Sequence, residues 1–232
     1  MEIKSVEDTV KDSVNVLIYG VSSAGKTSLL SGLKGKTLIV SLEGGLLVLR
    51  GSKMDVVEIE TIDELAEVYK KIKTGEWKYD NVAIDSLSEV ADKIVAELDA
   101  DEYYQNPSNA FVLWKDYSKR LIKIVKLFRD AKINVIFTAL EDTTEDNGSL
   151  TKNASIQGKK AQAKLISLFD EFYRLHIDKE GDRWLGTASS NFYLAKSRAG
   201  LFEDEIKVKE GSPILGEMLE AIKTNTVIKT TK

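Results

Sequence analysis

Short apolar runs alternate with amphipathic stretches up to residue 140. The run VNVLIY, residues 14–19, is apolar almost throughout and stops at Gly20. A compact run of this kind, with no polar alternation, predicts a strand buried on both faces. TLIVSL (37–42), DVVEIE (55–60), YDNVAID (79–85) and INVIFTA (133–139) predict four more strands. The segments between them have helical periodicity. A first helix is predicted over 27–33. Thr61 and Glu64 have capping-box spacing, and Ile62, Leu65, Ala66, Val68, Tyr69 and Ile72 then line much of one face until Gly75. Further helices are predicted over 87–98 and, past the break Asn106-Pro107-Ser108, over 109–131. In the last of these, Trp114, Tyr117, Leu121, Ile124, Val125 and Phe128 fall on the apolar side. Such alternation predicts an α/β domain with a mainly parallel central sheet flanked by helices.

The character changes after residue 140. Residues 141–158 lack apolar periodicity and are rich in Gly, Asn, Ser and Thr, which predicts a long, mobile loop. EFYRLHID, DRWLGTA and NFYLAKS then predict antiparallel strands added at the C-terminal edge of the sheet. A closing helix is expected over 214–223, with an extension over 1–13 and a frayed tail over 225–232. No repeat or linker divides the chain, so residues 1–232 read as one domain.

Composition narrows the chemistry. With 43% hydrophobic and 30% charged residues, the chain is neither disordered nor fibrous. Lys plus Arg is 33 against 37 for Asp plus Glu, which excludes a wholly basic nucleic-acid coat but leaves room for a local basic patch. The absence of Cys removes disulfides, thiolate metal sites and Cys nucleophiles, and suits a reducing compartment. One His, His176 in a strand-like run, makes a His-based triad or metal cluster a poor reading; it is taken as structural. The polar start MEIKSVEDTVKDS is unlike a secretion signal, and no apolar run approaches the ~20 residues that span a bilayer, so a cytoplasmic protein is expected.

GVSSAGKTS, residues 20–28, fits G-x-x-x-x-G-K-[ST] and sits between a buried strand and a helix. The candidate nucleotide-binding residues are therefore Gly20, Val21, Ser22, Ser23, Ala24, Gly25, Lys26, Thr27 and Ser28. Gly20 and Gly25 permit backbone angles that turn several N–H groups onto one anion. Lys26 is expected on the β- and γ-phosphates of ATP, and the Thr27 hydroxyl on Mg²⁺. Asp85 ends an apolar strand and is the second candidate magnesium group, although a helix N-cap is its competing reading. Asp80 reads as a turn residue. Glu43 closes the second strand beside Gly44-Gly45, where a carboxylate could polarise the attacking water; its competing reading is an exposed turn Glu. A small GTPase is rejected because Asp85 is followed by Ser-Leu-Ser and no Asn-Lys-x-Asp occurs. A nucleoside kinase is disfavoured because no Arg-rich lid is found.

The ordered set of Lys26-Thr27, Glu43, Asp85 and VIFTALE resembles the RecA-like P-loop ATPases. Within that group it more closely resembles small phage-encoded members, nucleotide-binding proteins or single-strand annealing recombinases. The resemblance runs from about residue 14 to 210 and includes QGKKAQAKLISLFDEF and RWLGTASSNFYLAKSRAG. It implies that Glu43 activates water and that Thr138, at the end of the VIFTA strand, senses the γ-phosphate. Relatives often place Gln or His near this strand end; here Leu140-Glu141 stand instead, a departure that points to weak hydrolysis. Lys196 and Arg198 resemble a Lys-x-Arg that related ring ATPases insert into a neighbour's site, which implies self-association into a ring or filament. Two residues apart on a strand, they share one face.

The resemblance also implies a DNA-contacting loop after the fifth strand. No acid occurs over 147–169, and Lys152, Lys159, Lys160 and Lys164 all fall there. Such a cluster suits a phosphate backbone, though a solvated loop has the same composition. Tyr103 and Tyr104 are candidates for base stacking, whereas Phe111, Trp114 and Tyr117 have core spacing. The expected function is ATP hydrolysis to ADP and phosphate, coupled to work on single-stranded DNA in phage recombination or replication. A single-strand-binding protein is a candidate partner. The alternatives are a hexameric helicase-type motor and a non-hydrolysing, nucleotide-dependent single-stranded DNA-binding module.

Overall fold

The computed structural model describes residues 13–146 and 149–228. Most of the expected extension (1–12), residues 147–148 and the end of the tail (229–232) lie outside the described residues. The chain order is β1 (Asn15–Gly20), α1 (Lys26–Leu30), β2 (Thr37–Ser41), β3 (Asp55–Glu58), α2 (Ile62–Lys73), β4 (Asn81–Asp85), α3 (Leu87–Asp99), α4 (Glu102–Gln105) and α5 (Ala110–Arg129). It continues with β5 (Asn134–Asp146), β6 (Ser149–Ala154), α6 (Lys159–Ile166), β7 (Glu171–Ile177), β8 (Arg183–Gly186), β9 (Lys196–Ser197), β10 (Glu205–Val208) and α7 (Ile214–Thr224). The five strands expected before residue 140 are all present.

Strand order along the main sheet is β10-β8-β7-β1-β5-β4-β2-β3. The stretch from β7 to β3 is parallel, and β8 and β10 add to it antiparallel. Side chains alternate between the two faces of each strand. From β1, Leu17 and Tyr19 enter one core, with Leu65 of α2, Ile94 of α3 and Leu121 of α5. Val16 and Ile18 enter the other, with Leu30 of α1 and Met218 of α7. Both sheet faces are thus covered, which is why the parallel strands read as continuous apolar runs. The capping box of α2 forms as expected: Thr61 Oγ1 accepts from the Glu64 N–H, and Glu64 Oε2 accepts from the Thr61 N–H. Asp80 is a turn residue, its Oδ2 accepting from the Lys36 N–H at 2.7 Å.

Three expectations are corrected. The irregular loop expected over 141–158 is mostly a hairpin, in which Glu141–Asp146 of β5 pair antiparallel with β6. Backbone pairing holds it without an apolar stripe. NFYLAKS is not a full strand: only Lys196–Ser197 form β9, while Tyr193 makes a single bridge to Lys152. Of the aromatic positions given core spacing, Tyr117 is buried, but Phe111 is 81% and Trp114 45% exposed.

Candidate active site

β1 carries Gly20 to the C-terminal edge of the sheet, where the phosphate loop begins. A Cβ at Gly20 would lie 2.2 Å from the Leu175 carbonyl oxygen on β7. Close approach of the neighbouring strand therefore requires glycine here, not an unusual backbone angle as the motif suggested. Gly25 does need conformational freedom: it caps α1 with φ of 100°. Ser23 shares the left-handed region, at φ 65°.

Because β5 lies between β1 and β4, the side chain of Thr138 falls between the loop and Asp85. The Asp85 carboxylate takes hydrogen bonds from both sides. Thr27 Oγ1 donates to its Oδ2 at 2.8 Å, and Thr138 Oγ1 donates to its Oδ1. Ser86, not Asp85, is the N-cap of α3, its Oγ accepting from the Glu89 N–H at 3.3 Å. The capping alternative for Asp85 is thereby removed. Ser86 Oγ also donates to Glu43 Oε1, which ties the exposed Glu43 carboxylate to the end of β4. Lys26 Nζ donates to the carbonyls of Gly20 and Val21 at 2.9 and 3.0 Å. Burial pushes its ammonium below the usual lysine range, against the opposing pull of Asp85, Glu43 and Glu141.

Lys26, Thr27, Glu43, Asp85 and Ser86 line one cleft of about 460 Å³, together with Ser22, Ser23, Val48, Leu140, Arg183 and Glu210; Thr138 is fully buried and meets the cleft only through Asp85. Its donors suit a triphosphate and a hard cation. Thr27 and Asp85 would hold Mg²⁺ as one hydroxyl and one carboxylate, the rest of the shell coming from phosphate and water. Among the described residues no group of three or more His, Asp and Glu side chains gathers to hold a metal alone.

The trans candidates lie elsewhere. β9 pairs with Glu171 and Phe172 at the start of β7, away from the phosphate-loop edge. Lys196 Nζ donates to the carbonyls of Ile166 and Phe169, at the end of α6. Arg198 bonds Asp170 Oδ1 at 2.9 Å and the Ser167 carbonyl at 2.7 Å. The four DNA candidates are dispersed. Lys152 is on β6 with its Nζ 3.2 Å from Glu141 Oε1, and Lys164 is exposed on α6. Lys159 and Lys160 open α6, and their side chains lie outside the described part of the structure. Tyr104 donates its hydroxyl to Asp116 Oδ2 at 3.0 Å; Tyr103 is exposed. His176 sits on β7 with Nε2 3.7 Å from Glu205 Oε1, and takes no part in lining the cleft.

Two features escaped the sequence reading. Arg183, on β8, donates from Nε to the Ala24 carbonyl at 3.2 Å and packs over Gly25. No motif marks it; only the antiparallel edge brings it to the loop. Glu141 is enclosed by Arg174, whose Nε donates to Oε2 at 2.7 Å, with side-chain exposures of 5% and 10% respectively. Burial would raise the Glu141 carboxyl, but the hydrogen bonds and charges of Arg174 and Lys152 outweigh it and hold the group below its ordinary value of 4.5. A depressed carboxylate stabilises the fold above its unfolded pKa, and that contribution is lost as pH falls through the folded value. Glu141→Gln is expected to lower the melting temperature at pH 7. The gap from the parent should narrow below pH 4.5, because the parent then loses the same interaction. A gap independent of pH would show that the pair contributes packing alone.

No curated protein matches the chain in sequence. A family model described as the AAA domain matches residues 12–199, from just before β1 to just past β9. The match takes in the phosphate loop, both candidate carboxylates and the whole parallel sheet, and the chain belongs to this AAA domain family, whose fold is of the P-loop ATPase type.

Proposed function

We propose that the chain hydrolyses ATP in this cleft and acts on single-stranded DNA in recombination or replication, assembled as a ring or filament. The observation that carries the reading is the Asp85 carboxylate, shared between Thr27 of the loop and Thr138 of the adjacent strand. In this reading the loop amides and Lys26 bind the phosphates of ATP. Glu43 accepts a hydrogen bond from the attacking water and takes its proton as the water oxygen bonds the γ-phosphorus and the bond from that phosphorus to the β–γ bridging oxygen breaks, releasing ADP. Thr138 reports the state of the γ-phosphate through Asp85. Mg²⁺, when bound, neutralises charge on the phosphate oxygens.

The DNA reading is supported by connectivity and by the resemblance of the sequence motifs to those of single-strand annealing recombinases. β5 carries Thr138 against Asp85 and Leu140 into the cleft, and continues without a break into the hairpin, where Leu150 is 60% exposed. In an assembly, Arg198 is the better candidate to reach a neighbour, since it is exposed while Lys196 is half-buried beneath α6. A second reading, a nucleotide-dependent DNA-binding module that does not hydrolyse, is favoured by Leu140, an apolar side chain of β5 that lines the cleft. Phosphate release measured with and without an oligothymidylate decides between them. Turnover that rises several-fold with the oligonucleotide supports the ATPase reading. Binding of ATP with no turnover under either condition supports the second, and turnover indifferent to DNA removes the DNA role.

A further inference from the structure

The longest helix carries a surface that the ATP cleft does not use. α5 holds Lys115, Lys119, Arg120, Lys123, Lys126 and Arg129 against the single acid Asp116, in a chain whose net charge is −4. Helical geometry puts Phe111, Lys115, Lys119, Ile122 and Lys126 along one stripe, with Trp114 and Lys123 at its margins. Lys119 pairs with Asp116 at 3.4 Å and Arg120 with Glu97 at 3.5 Å. Among the described residues no ion pair holds Lys115, Lys123 or Lys126. Phe111 is the most exposed aromatic residue described, and Trp114, three residues on and edge-to-face with Tyr117, is 45% exposed. An apolar groove beside Ile122 and Leu127 runs between the lysines.

We propose that this face of α5 is a track for single-stranded nucleic acid. Phe111 and Trp114 stack on bases, and Lys115, Lys119 and Lys126 hold successive stretches of the phosphate backbone. Exposed rings followed by a row of cations are the two elements that bind single strands without sequence preference. The placement suits the hairpin as well. α5 leads into β5 and runs against it, so its aromatic end lies at the sheet edge from which the hairpin projects. The row of lysines extends back from that edge along a helix about 30 Å long. A lipid surface is the poorer fit, because it calls for a continuous apolar face, and here Ile122 is flanked by lysines.

The inference rests on the nucleic-acid part of the proposed function, and its test is separable from it. The full chain, without nucleotide, is titrated with a fluorescent oligothymidylate across a range of salt. Replacing Lys115, Lys119 and Lys126 together by Gln should weaken binding at least tenfold and lower the log–log salt slope by about 2. Phe111→Ala with Trp114→Ala should weaken binding about tenfold with the slope unchanged. In a Trp77→Phe/Trp184→Phe background, the oligonucleotide should quench Trp114 emission. An unchanged slope in the lysine variant, or Trp114 emission indifferent to saturating oligonucleotide, overturns the track. If DNA still stimulates ATP turnover in those variants, the broader function stands without it. Equal binding to phosphatidylserine vesicles, or loss of self-association in the lysine variant, overturns it in favour of a membrane or a second copy.

Discussion

Glu43→Gln is expected to lower ATP turnover by about two to four orders of magnitude, the usual weight of a positioned general base. ATP affinity should stay within about threefold of the parent, since the amide keeps the shape and leaves the phosphate loop untouched. The carbonyl oxygen of Gln can still accept from Ser86 Oγ, the contact that ties this side chain to the end of β4. Loss of rate would then report loss of the proton acceptor and not collapse of the site. A Glu43→Gln protein that turns over at the parent rate would mean that water is activated elsewhere in the cleft. Single-turnover phosphate release, read beside equilibrium binding of a fluorescent ATP analogue, separates these outcomes.

Lys26→Ala should weaken ATP binding by at least about a hundredfold, or roughly 3 kcal/mol, as expected for removing a charge-assisted bond to a phosphate. The ammonium is half-buried and donates to the carbonyls of Gly20 and Val21. Val21 is exposed, so water replaces the lost donor at its carbonyl, and the melting temperature should move little. Burial lowers the pKa of Lys26, and a bound triphosphate would raise it. By linkage, ATP affinity should fall as pH rises into the titration range of this lysine. Isothermal titration at neutral and alkaline pH checks both statements. An affinity equal to the parent's would remove Lys26 from the phosphate site.

The parallel core was legible because its strands are buried on both faces, so that VNVLIY and INVIFTA contain almost nothing polar. Asp85 and Glu43 were legible for a related reason: each ends a run of apolar residues at the edge where β1 delivers the phosphate loop. The hairpin was not legible from hydrophobicity, since of β6 only Asn153 and Ala154 at its end are buried, and most of the hairpin is held by cross-strand backbone bonds. Asn147-Gly148 was the available signal, being a dipeptide that favours tight hairpin connections. Phe111 and Trp114 misled because three-residue spacing places side chains near one another without saying which way the group faces. Only Tyr117 points inward, beside Leu121 and Val125. Arg183 had no local signature, because its proximity to Gly25 arises from the antiparallel edge strands.

β5 spans thirteen residues, Asn134–Asp146, and reaches well beyond the sheet edge. From Thr138 to the far end of the strand is about 26 Å at the usual rise per residue. A tilt of about 10° at the cleft would therefore swing that end through about 4–5 Å. If the cleft hydrolyses ATP as proposed, an arm of this length would turn a small shift at the Asp85–Thr138 contact into a displacement of several ångströms at the hairpin tip.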